Sequence, residues 1–142
     1  MKTILVLEDE SDLRKMIRLL LSSQHIVLEA ATPEDAVRRF HEHNGRIDLL
    51  IADVVLPGKS GIHVALELRS QNDDLRIILT SGYPQDMWRE EDCMQLNELP
   101  LSSVTILTKP FFPHTLLKTI TALIGPSNEY ASAVTDWRKC PA

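Results

Sequence analysis

Residues 49–61 read Leu-Leu-Ile-Ala-Asp-Val-Val-Leu-Pro-Gly-Lys-Ser-Gly, and this stretch is the most informative in the chain about its fold class. Its first part is an apolar run without polar alternation, which is typical of a strand buried on both faces of a parallel sheet. The run ends at Asp53, Pro57-Gly58 then form a turn, and Ser60 can cap a following helix. Ligands of open α/β sheets bind beyond the carboxyl ends of the strands. Asp53 is therefore a candidate site residue, although taken alone it could simply cap the turn.

Composition places the chain among globular proteins and narrows its partners. It has 142 residues, of which 44% are hydrophobic and 25% charged, and its formal net charge is −5. This acidic balance argues against nonspecific contact with nucleic acid or a membrane surface. No apolar run approaches the roughly 20 residues of a membrane helix, and the N-terminus reaches Glu8 and Asp9 too early for a signal peptide. We expect a cytoplasmic protein, in which Cys93 and Cys140 are free thiols outside any metal or redox motif.

Short apolar strands alternate with helical patterns five times along the chain. Besides the opening stretch, the predicted strands cover residues 3–7, 26–30, 76–80 and 104–107. This alternation predicts a parallel sheet with helices on both faces, and right-handed crossovers restrict it to a doubly wound topology. The sequence thus predicts one domain over residues 1–125, followed by a C-terminal tail over 126–142 that has no usable periodicity and is expected to be flexible.

Helix boundaries follow from capping residues. Ser11 is the predicted N-cap of the first helix, Thr32-Pro33 opens the second, and Gly45 stops it. The third helix is predicted over Gly61–Arg69, and Pro113 opens the last one. A fourth helix must lie within residues 83–103, where the apolar period is weak; Trp88 is interpreted there as a helix anchor.

Four predicted strands end in polar residues on the same edge of the sheet. Glu8 and Asp9 follow the first strand, Asp53 ends the third, Thr80 ends the fourth and Lys109 follows the fifth. Three carboxylates crowded together repel one another unless a positive charge compensates. Mg²⁺ prefers carboxylate oxygens and commonly shares a phosphate oxygen, and a carboxylate can attack phosphorus to form an aspartyl phosphate. The pattern therefore predicts a phosphoryl-transfer site.

The chain resembles the receiver domain of bacterial two-component response regulators over about residues 2–125. Four motifs in this order carry the resemblance: Glu8-Asp9, Asp53-Val54-Val55-Leu56-Pro57 with Gly61, Thr80-Ser81-Gly82, and Lys109-Pro110-Phe111. The resemblance implies a flavodoxin-like five-stranded parallel sheet with strand order 2-1-3-4-5. It also implies that the domain catalyses its own aspartyl phosphorylation and dephosphorylation rather than turning over another substrate.

Individual roles are implied by the same resemblance. Asp53 would accept the phosphoryl group from a histidine kinase or a phosphotransfer protein. Asp9, Asp53 and the backbone carbonyl of Val55 would bind Mg²⁺ directly, and Glu8 would act through water. Lys109 and Thr80 would contact the phosphoryl oxygens. The peptide bond between Lys109 and Pro110 is expected to be cis, as only X-Pro bonds readily are.

The sequence departs from the family in its switch region and in one acidic residue. Glu8 replaces the commoner Asp, and Ile106 occupies the position of the usual aromatic switch residue. Thr80 and Lys109 are also about two helical turns further apart than usual. Because Ile106 has no ring to transmit the movement of Thr80, Tyr83 is the candidate replacement, reached through Gly82.

Several functions remain open on the sequence alone. Only 17 residues follow residue 125, so a stand-alone receiver that signals to an unknown downstream protein is expected, without direct nucleic-acid or membrane binding. The stretch from Thr80 to Pro84 also resembles receivers of hybrid histidine kinases, so a fragment of a longer chain is possible, as is a receiver that works without phosphate. A nucleotide- or flavin-binding protein would require a phosphate-binding loop at the position of Glu8 and Asp9. An aspartyl phosphatase would require its nucleophile after the first strand.

Overall fold

The structure, a computed structural model, describes residues 1–125. The predicted tail over 126–142, including Cys140, lies outside the described residues. The strands are β1 (Lys2–Leu7), β2 (His25–Ala30), β3 (Leu49–Asp53), β4 (Arg76–Ser81) and β5 (Val104–Thr108). The helices are α1 (Ser11–Leu21), α2 (Pro33–Glu42), α3 (Gly61–Arg69), α4 (Glu90–Leu96) and α5 (Pro113–Ile124).

All five strands are parallel and lie in the order β2-β1-β3-β4-β5. The predicted flavodoxin-like doubly wound sheet is thereby confirmed. Register fixes the geometry of the sheet edge, because Asp53 pairs with Thr80 and Ser81 pairs with Thr108. The strand ends that carry the polar residues therefore reach the same edge, as their spacing predicted.

Successive side chains of each strand point to opposite faces of the sheet, so the apolar strands form two hydrophobic layers, one on each face. One layer packs under α2, α3 and α4 and includes Leu5, Leu7, Leu50, Ala52, Ile77 and Leu79. The other packs under α1 and α5 and includes Ile4, Val6, Leu49, Ile51 and Ile78. β3 is buried at every position, which is why its sequence shows no polar alternation. No helix in the described part of the chain is both long enough and apolar enough to cross a bilayer.

The helix starts agree with the predicted caps except at α1. The side-chain oxygens of Thr32 and Ser60 accept hydrogen bonds from backbone N–H groups in the first turns of α2 and α3, at 3.1 and 3.2 Å. The prediction that Ser11 caps α1 is wrong. Ser11 is already helical, and the N-cap is Glu10, whose side chain makes no capping hydrogen bond. The chain turns so soon after β1 that the last extended residue is Glu10.

The segment with the weak period contains only one short helix. α4 has seven residues and is flanked by single 3₁₀ turns over Gln85–Met87 and Leu101–Ser103. Trp88 lies between the first 3₁₀ turn and α4, and its side chain packs against the core layer under α2 to α4. Its indole also reaches back to the end of β4.

Gly61 is required where α3 begins. A Cβ at this position would lie 2.0 Å from the backbone oxygen of Asp53, far inside van der Waals contact. The start of α3 therefore packs directly on the end of β3, and this contact holds the loop that follows Asp53 in place.

We predict that Gly61→Ala lowers the free energy of unfolding by about 3 kcal/mol, because the backbone around Asp53 must move to relieve the clash. Urea denaturation at 25 °C measures the loss. Gly82→Ala is the matched control, since its Cβ would meet nothing within 4 Å, and we expect a change below about 0.5 kcal/mol there. Equal stability of the Gly61 variant and wild type would contradict this account.

Candidate functional site at the carboxyl edge of the sheet

The acidic residues predicted from the strand ends meet in one pocket. Glu8 and Asp53 are buried, with 3% and 7% of their surface exposed, whereas Asp9 is exposed. One carboxylate oxygen from each of the three residues can be chosen so that all lie within 4.8 Å of one another. The first and third strands of the chain, which are neighbours in the sheet, place them there.

Lys109 supplies the compensating charge from β5. Its Nζ lies 2.8 Å from Oδ2 of Asp53 and 3.1 and 3.3 Å from the two carboxylate oxygens of Glu8. Its backbone N–H donates to the carbonyl of Ser81 at 2.7 Å, which fixes the start of the loop after β5. The Lys109–Pro110 peptide bond is cis. One ammonium group therefore bridges two carboxylates from different strands.

Asp53 is oriented by its own loop as well as by Lys109. Its Oδ1 accepts a hydrogen bond from the backbone N–H of Val55 at 3.1 Å. The N–H of Val54 donates to the carbonyl of Thr80 at 2.9 Å, which ties the loop after β3 to β4. Each carboxylate oxygen of Asp53 thus has a donor, and the side chain is held with little freedom to rotate.

Burial and charge shift the acid–base behaviour of the pocket. Burial, followed by repulsion from Asp53, raises the pKa of Glu8 to about 7 despite the hydrogen bonds from Lys109. Burial acts to lower the pKa of Lys109, but its hydrogen bonds and attraction to Asp53 and Glu8 outweigh burial and raise that pKa. The lysine therefore stays charged at neutral pH, while Glu8 exchanges its proton there.

The residues predicted for the switch lie on β4, on β5 and in the loop that follows β4. Thr80 is buried at the end of β4 and Ile106 lies in β5, packed against the core layer under α2 to α4. Tyr83 is 55% exposed. Ser81 Oγ donates to the carbonyl of Tyr83 at 2.8 Å and accepts from the N–H of Tyr83 and from the indole N–H of Trp88, both at 3.1 Å.

Sequence reasoning missed the role of Trp88. Its indole N–H also lies 3.1 Å from the carbonyl of Tyr83, so it closes the loop after β4 in two places. The indole further lines a cavity of about 400 Å³ between the loops that follow β3 and β4. The sequence contained no signal of this role, because Trp88 lies in a weakly periodic segment and contacts Ser81 only after the chain has turned.

The chemistry of the pocket suits a hard divalent cation. All three acidic residues offer carboxylate oxygens, the ligands that Mg²⁺ prefers, and one of them is open to solvent, which leaves room for the waters that Mg²⁺ retains. Asp53 and Glu8 belong to this acidic group and also contact Lys109.

Fold and site together define a flavodoxin-like α/β domain with an acidic pocket, bridged by a lysine, at the carboxyl edge of its sheet. The family described as "Response regulator receiver domain" matches residues 4–121. The chain belongs to the response regulator receiver family.

Similarity to known proteins extends over most of the described chain. The sensor kinase CckA of Brucella abortus is 36% identical over 85 residues, which is 59% of this chain and 9% of that protein. The regulatory protein VanRB of Enterococcus faecalis is 29% identical over 129 residues, covering 90% of this chain and 54% of that protein. The chain therefore spans about half or less of the length of these curated relatives.

Solved structures agree with this assignment. Chemotaxis protein CheY4 of Vibrio cholerae is 25% identical with a TM-score of 0.73, covering 87% of this chain and 99% of its own. The receiver domain of the hybrid histidine kinase CckA is 32% identical with a TM-score of 0.68, covering 85% and 97%. Response regulator TrrA of Thermotoga maritima, solved with Mg²⁺ and beryllofluoride, is 28% identical with a TM-score of 0.69, covering 87% and 100%.

We predict that metal-free protein loses stability between pH 5 and pH 8 through Glu8. Its folded pKa of about 7 lies above the ordinary 4.5. Stability from this group is therefore fully present below pH 4.5 and is lost as the pH rises through 7, by on the order of 1 kcal/mol. Urea unfolding in EDTA at both pH values measures the loss.

The Glu8→Gln variant should show a flatter pH profile, because its side chain does not titrate. Glu98→Gln, which changes an exposed glutamate outside the pocket, should keep the wild-type profile. Identical profiles for Glu8→Gln and wild type would show that Glu8 does not carry the effect.

Proposed function

We propose that this protein is a phosphoacceptor receiver, in which Asp53 takes a phosphoryl group from the phosphohistidine of a histidine kinase or phosphotransfer protein. The observation that carries the proposal is a buried Asp53 with Lys109 Nζ at 2.8 Å and the carboxylates of Glu8 and Asp9 beside it. Membership of the receiver family supports it. Cytoplasmic location and signalling through protein contact, rather than turnover of a separate substrate, belong to the same proposal.

Phosphoryl transfer to Asp53 needs positioning and charge neutralisation more than covalent chemistry from other groups. A carboxylate oxygen of Asp53 forms the new bond to phosphorus as the phosphorus–nitrogen bond of the donor breaks, and the donor imidazole leaves with its electron pair. The hydrogen bond from Val55 N–H and the contact with Lys109 hold the nucleophile still before the donor arrives.

Three residues and one backbone carbonyl are proposed to hold Mg²⁺. Asp9, Asp53 and the carbonyl of Val55 would bind the ion directly, and Glu8 would bind it through water. When bound, Mg²⁺ supplies neutralisation of the negative charge on the transferring group. Lys109 neutralises the opposite side, and the Thr80 hydroxyl donates a hydrogen bond to a phosphoryl oxygen.

We predict that acetyl phosphate with Mg²⁺ adds one phosphoryl group to the wild-type protein and that Asp53→Asn abolishes the addition. The amide nitrogen and oxygen of Asn are far weaker nucleophiles than a carboxylate. Intact-mass spectrometry after a short incubation detects the product.

Asp73→Asn is the matched control, because Asp73 is an exposed aspartate before β4, at the opposite edge of the sheet from the pocket. It should be phosphorylated like wild type. Labelling of the Asp53 variant to the wild-type extent would assign the nucleophile elsewhere, and an unlabelled wild type under saturating donor would favour a receiver that works without phosphate.

A role in a phosphorelay is favoured by one observation within this proposal. Both a sensor kinase and a receiver domain of a hybrid histidine kinase, each called CckA, are more than 30% identical to the matched part of this chain. We infer that phosphorylated protein can return its phosphoryl group to the histidine of a phosphotransfer protein. Incubation of phosphorylated protein with purified phosphotransfer proteins tests this, and loss of label to water alone in every mixture would oppose it.

We propose that the switch consists of Thr80, Tyr83 and Ile106, and that Trp88 changes its contacts when the switch moves. Ser81 lies between Thr80 and the loop, and its hydroxyl holds both Tyr83 and the Trp88 indole. Movement of Thr80 toward a phosphoryl oxygen would carry Ser81 with it, and we expect the hydrogen bonds from Ser81 to Tyr83 and Trp88 to tighten, so that the loop becomes more ordered. Ile106 then only fills space, since a β-branched aliphatic side chain has one stiff rotamer and no polar group.

We predict that beryllofluoride with Mg²⁺, a phosphoryl mimic, changes Trp88 fluorescence and slows amide exchange across residues 82–103. The Trp137→Phe background leaves Trp88 as the remaining tryptophan of the two. Ile106→Val should keep both responses, and Asp53→Asn should remove them. Unchanged exchange in that segment at full beryllofluoride occupancy would show that the loop does not respond to Asp53.

A further inference from the structure

The turn that carries Glu8 and Asp9 leads into α1 without the side-chain capping hydrogen bond that commonly supports the start of a helix. The N-cap of α1, Glu10, makes no hydrogen bond through its side chain. Two of the proposed metal-site residues therefore stand on a short turn whose conformation must be held by something other than a cap.

Arg14 provides that support from the first turns of α1. Its Nη1 donates to the backbone carbonyl of Glu8 at 2.8 Å. The N–H of Glu8 donates to the carbonyl of Ala30 at 3.1 Å, so both backbone polar groups of Glu8 are fixed. The carbonyl of Glu8 belongs to the peptide that joins it to Asp9, and holding this peptide plane sets the direction in which Asp9 leaves the strand.

The guanidinium of Arg14 is itself held in place. Its Nε lies 3.4 Å from Oε1 of Glu29 on β2, and Arg18 Nε lies 3.0 Å from Oε2 of the same carboxylate. The Arg14 side chain is 19% exposed, against 38% for Arg18. A half-buried arginine with an ion-pair partner loses little further freedom when it donates to the carbonyl.

We propose that Arg14 is a positioning residue for the metal site, acting through the Glu8 carbonyl, with Glu29 as its anchor. This inference rests on the proposed function, because it concerns the Mg²⁺ ligands assigned there. Substitution of a residue that orients a metal ligand commonly lowers metal affinity by about tenfold or more.

The direction of the change in Mg²⁺ affinity distinguishes a positioning role of Arg14 from a purely electrostatic one. Arg14 is a cation close to an acidic pocket, so removing its charge alone would strengthen the binding of Mg²⁺. Loss of the turn geometry would weaken it. A weaker affinity in the variant therefore cannot come from electrostatics.

Calorimetric Mg²⁺ titration of the full chain tests the proposal with Arg14→Ala and Arg14→Lys. We expect about a tenfold loss of affinity for Arg14→Ala and a smaller loss for Arg14→Lys, which keeps one donor for the carbonyl. Arg18→Ala is the matched control, since it removes an arginine from the same helix and the same glutamate, and it should bind Mg²⁺ within twofold of wild type. Hydrogen exchange without metal should be faster at the amides of Asp9 and Glu10 in Arg14→Ala alone.

Each outcome of these measurements either supports or overturns the positioning role of Arg14. Unchanged or tighter binding by Arg14→Ala, or equal losses in Arg14→Ala and Arg18→Ala, would overturn the positioning role while leaving the proposed function intact. A wild-type protein that binds no Mg²⁺ would overturn the proposed metal site and this inference with it, and the wild-type titration reports that case separately.

Discussion

The bridge from Lys109 to Asp53 and Glu8 is the interaction on which the site depends. Two buried carboxylates at the edge of one sheet repel each other, and the ammonium group between them makes their approach tolerable. Burial, followed by repulsion from Asp53, nevertheless raises the pKa of Glu8 to about 7. Three carboxylates share this edge with one ammonium group, and this excess of negative charge is the electrostatic reason that the pocket suits Mg²⁺.

Backbone contacts turn this charge balance into a fixed geometry. Gly61 lets α3 start against the carbonyl of Asp53, and the N–H of Val54 joins the same loop to Thr80. On the other side, Arg14 holds the peptide after Glu8. Each acidic residue is thus carried by a turn anchored to a neighbouring strand or helix, and the functional atoms move only if that anchor moves. This is how a loop-borne site gains the rigidity that the proposed phosphoryl transfer would require.

The loop after β4 is built differently from the rest of the edge. Its closure rests on hydrogen bonds from one serine hydroxyl and one indole, and the helix that follows has only seven residues. Met87 and Tyr83 are mostly exposed there, beside a cavity of about 400 Å³. Few buried contacts and short elements mark a segment of low local stability. Because this loop follows directly after Thr80, the switch proposed above would connect that low stability to the state of Asp53.

The sequence alone determined the strand–helix alternation, the sheet order implied by the resemblance, and the placing of Glu8, Asp9, Asp53, Thr80 and Lys109 at one edge. The alternation and the common edge follow from local rules, because buried strands are continuous apolar runs and parallel strands end together. The sheet order came only from the resemblance. Tertiary structure decided the rest. That Glu10 rather than Ser11 precedes α1, that Trp88 bonds Ser81, and that Arg14 reaches the Glu8 carbonyl depend on the paths that the chain takes after β1 and β4. Such contacts have no period or motif along the chain, so sequence patterns could not reveal them.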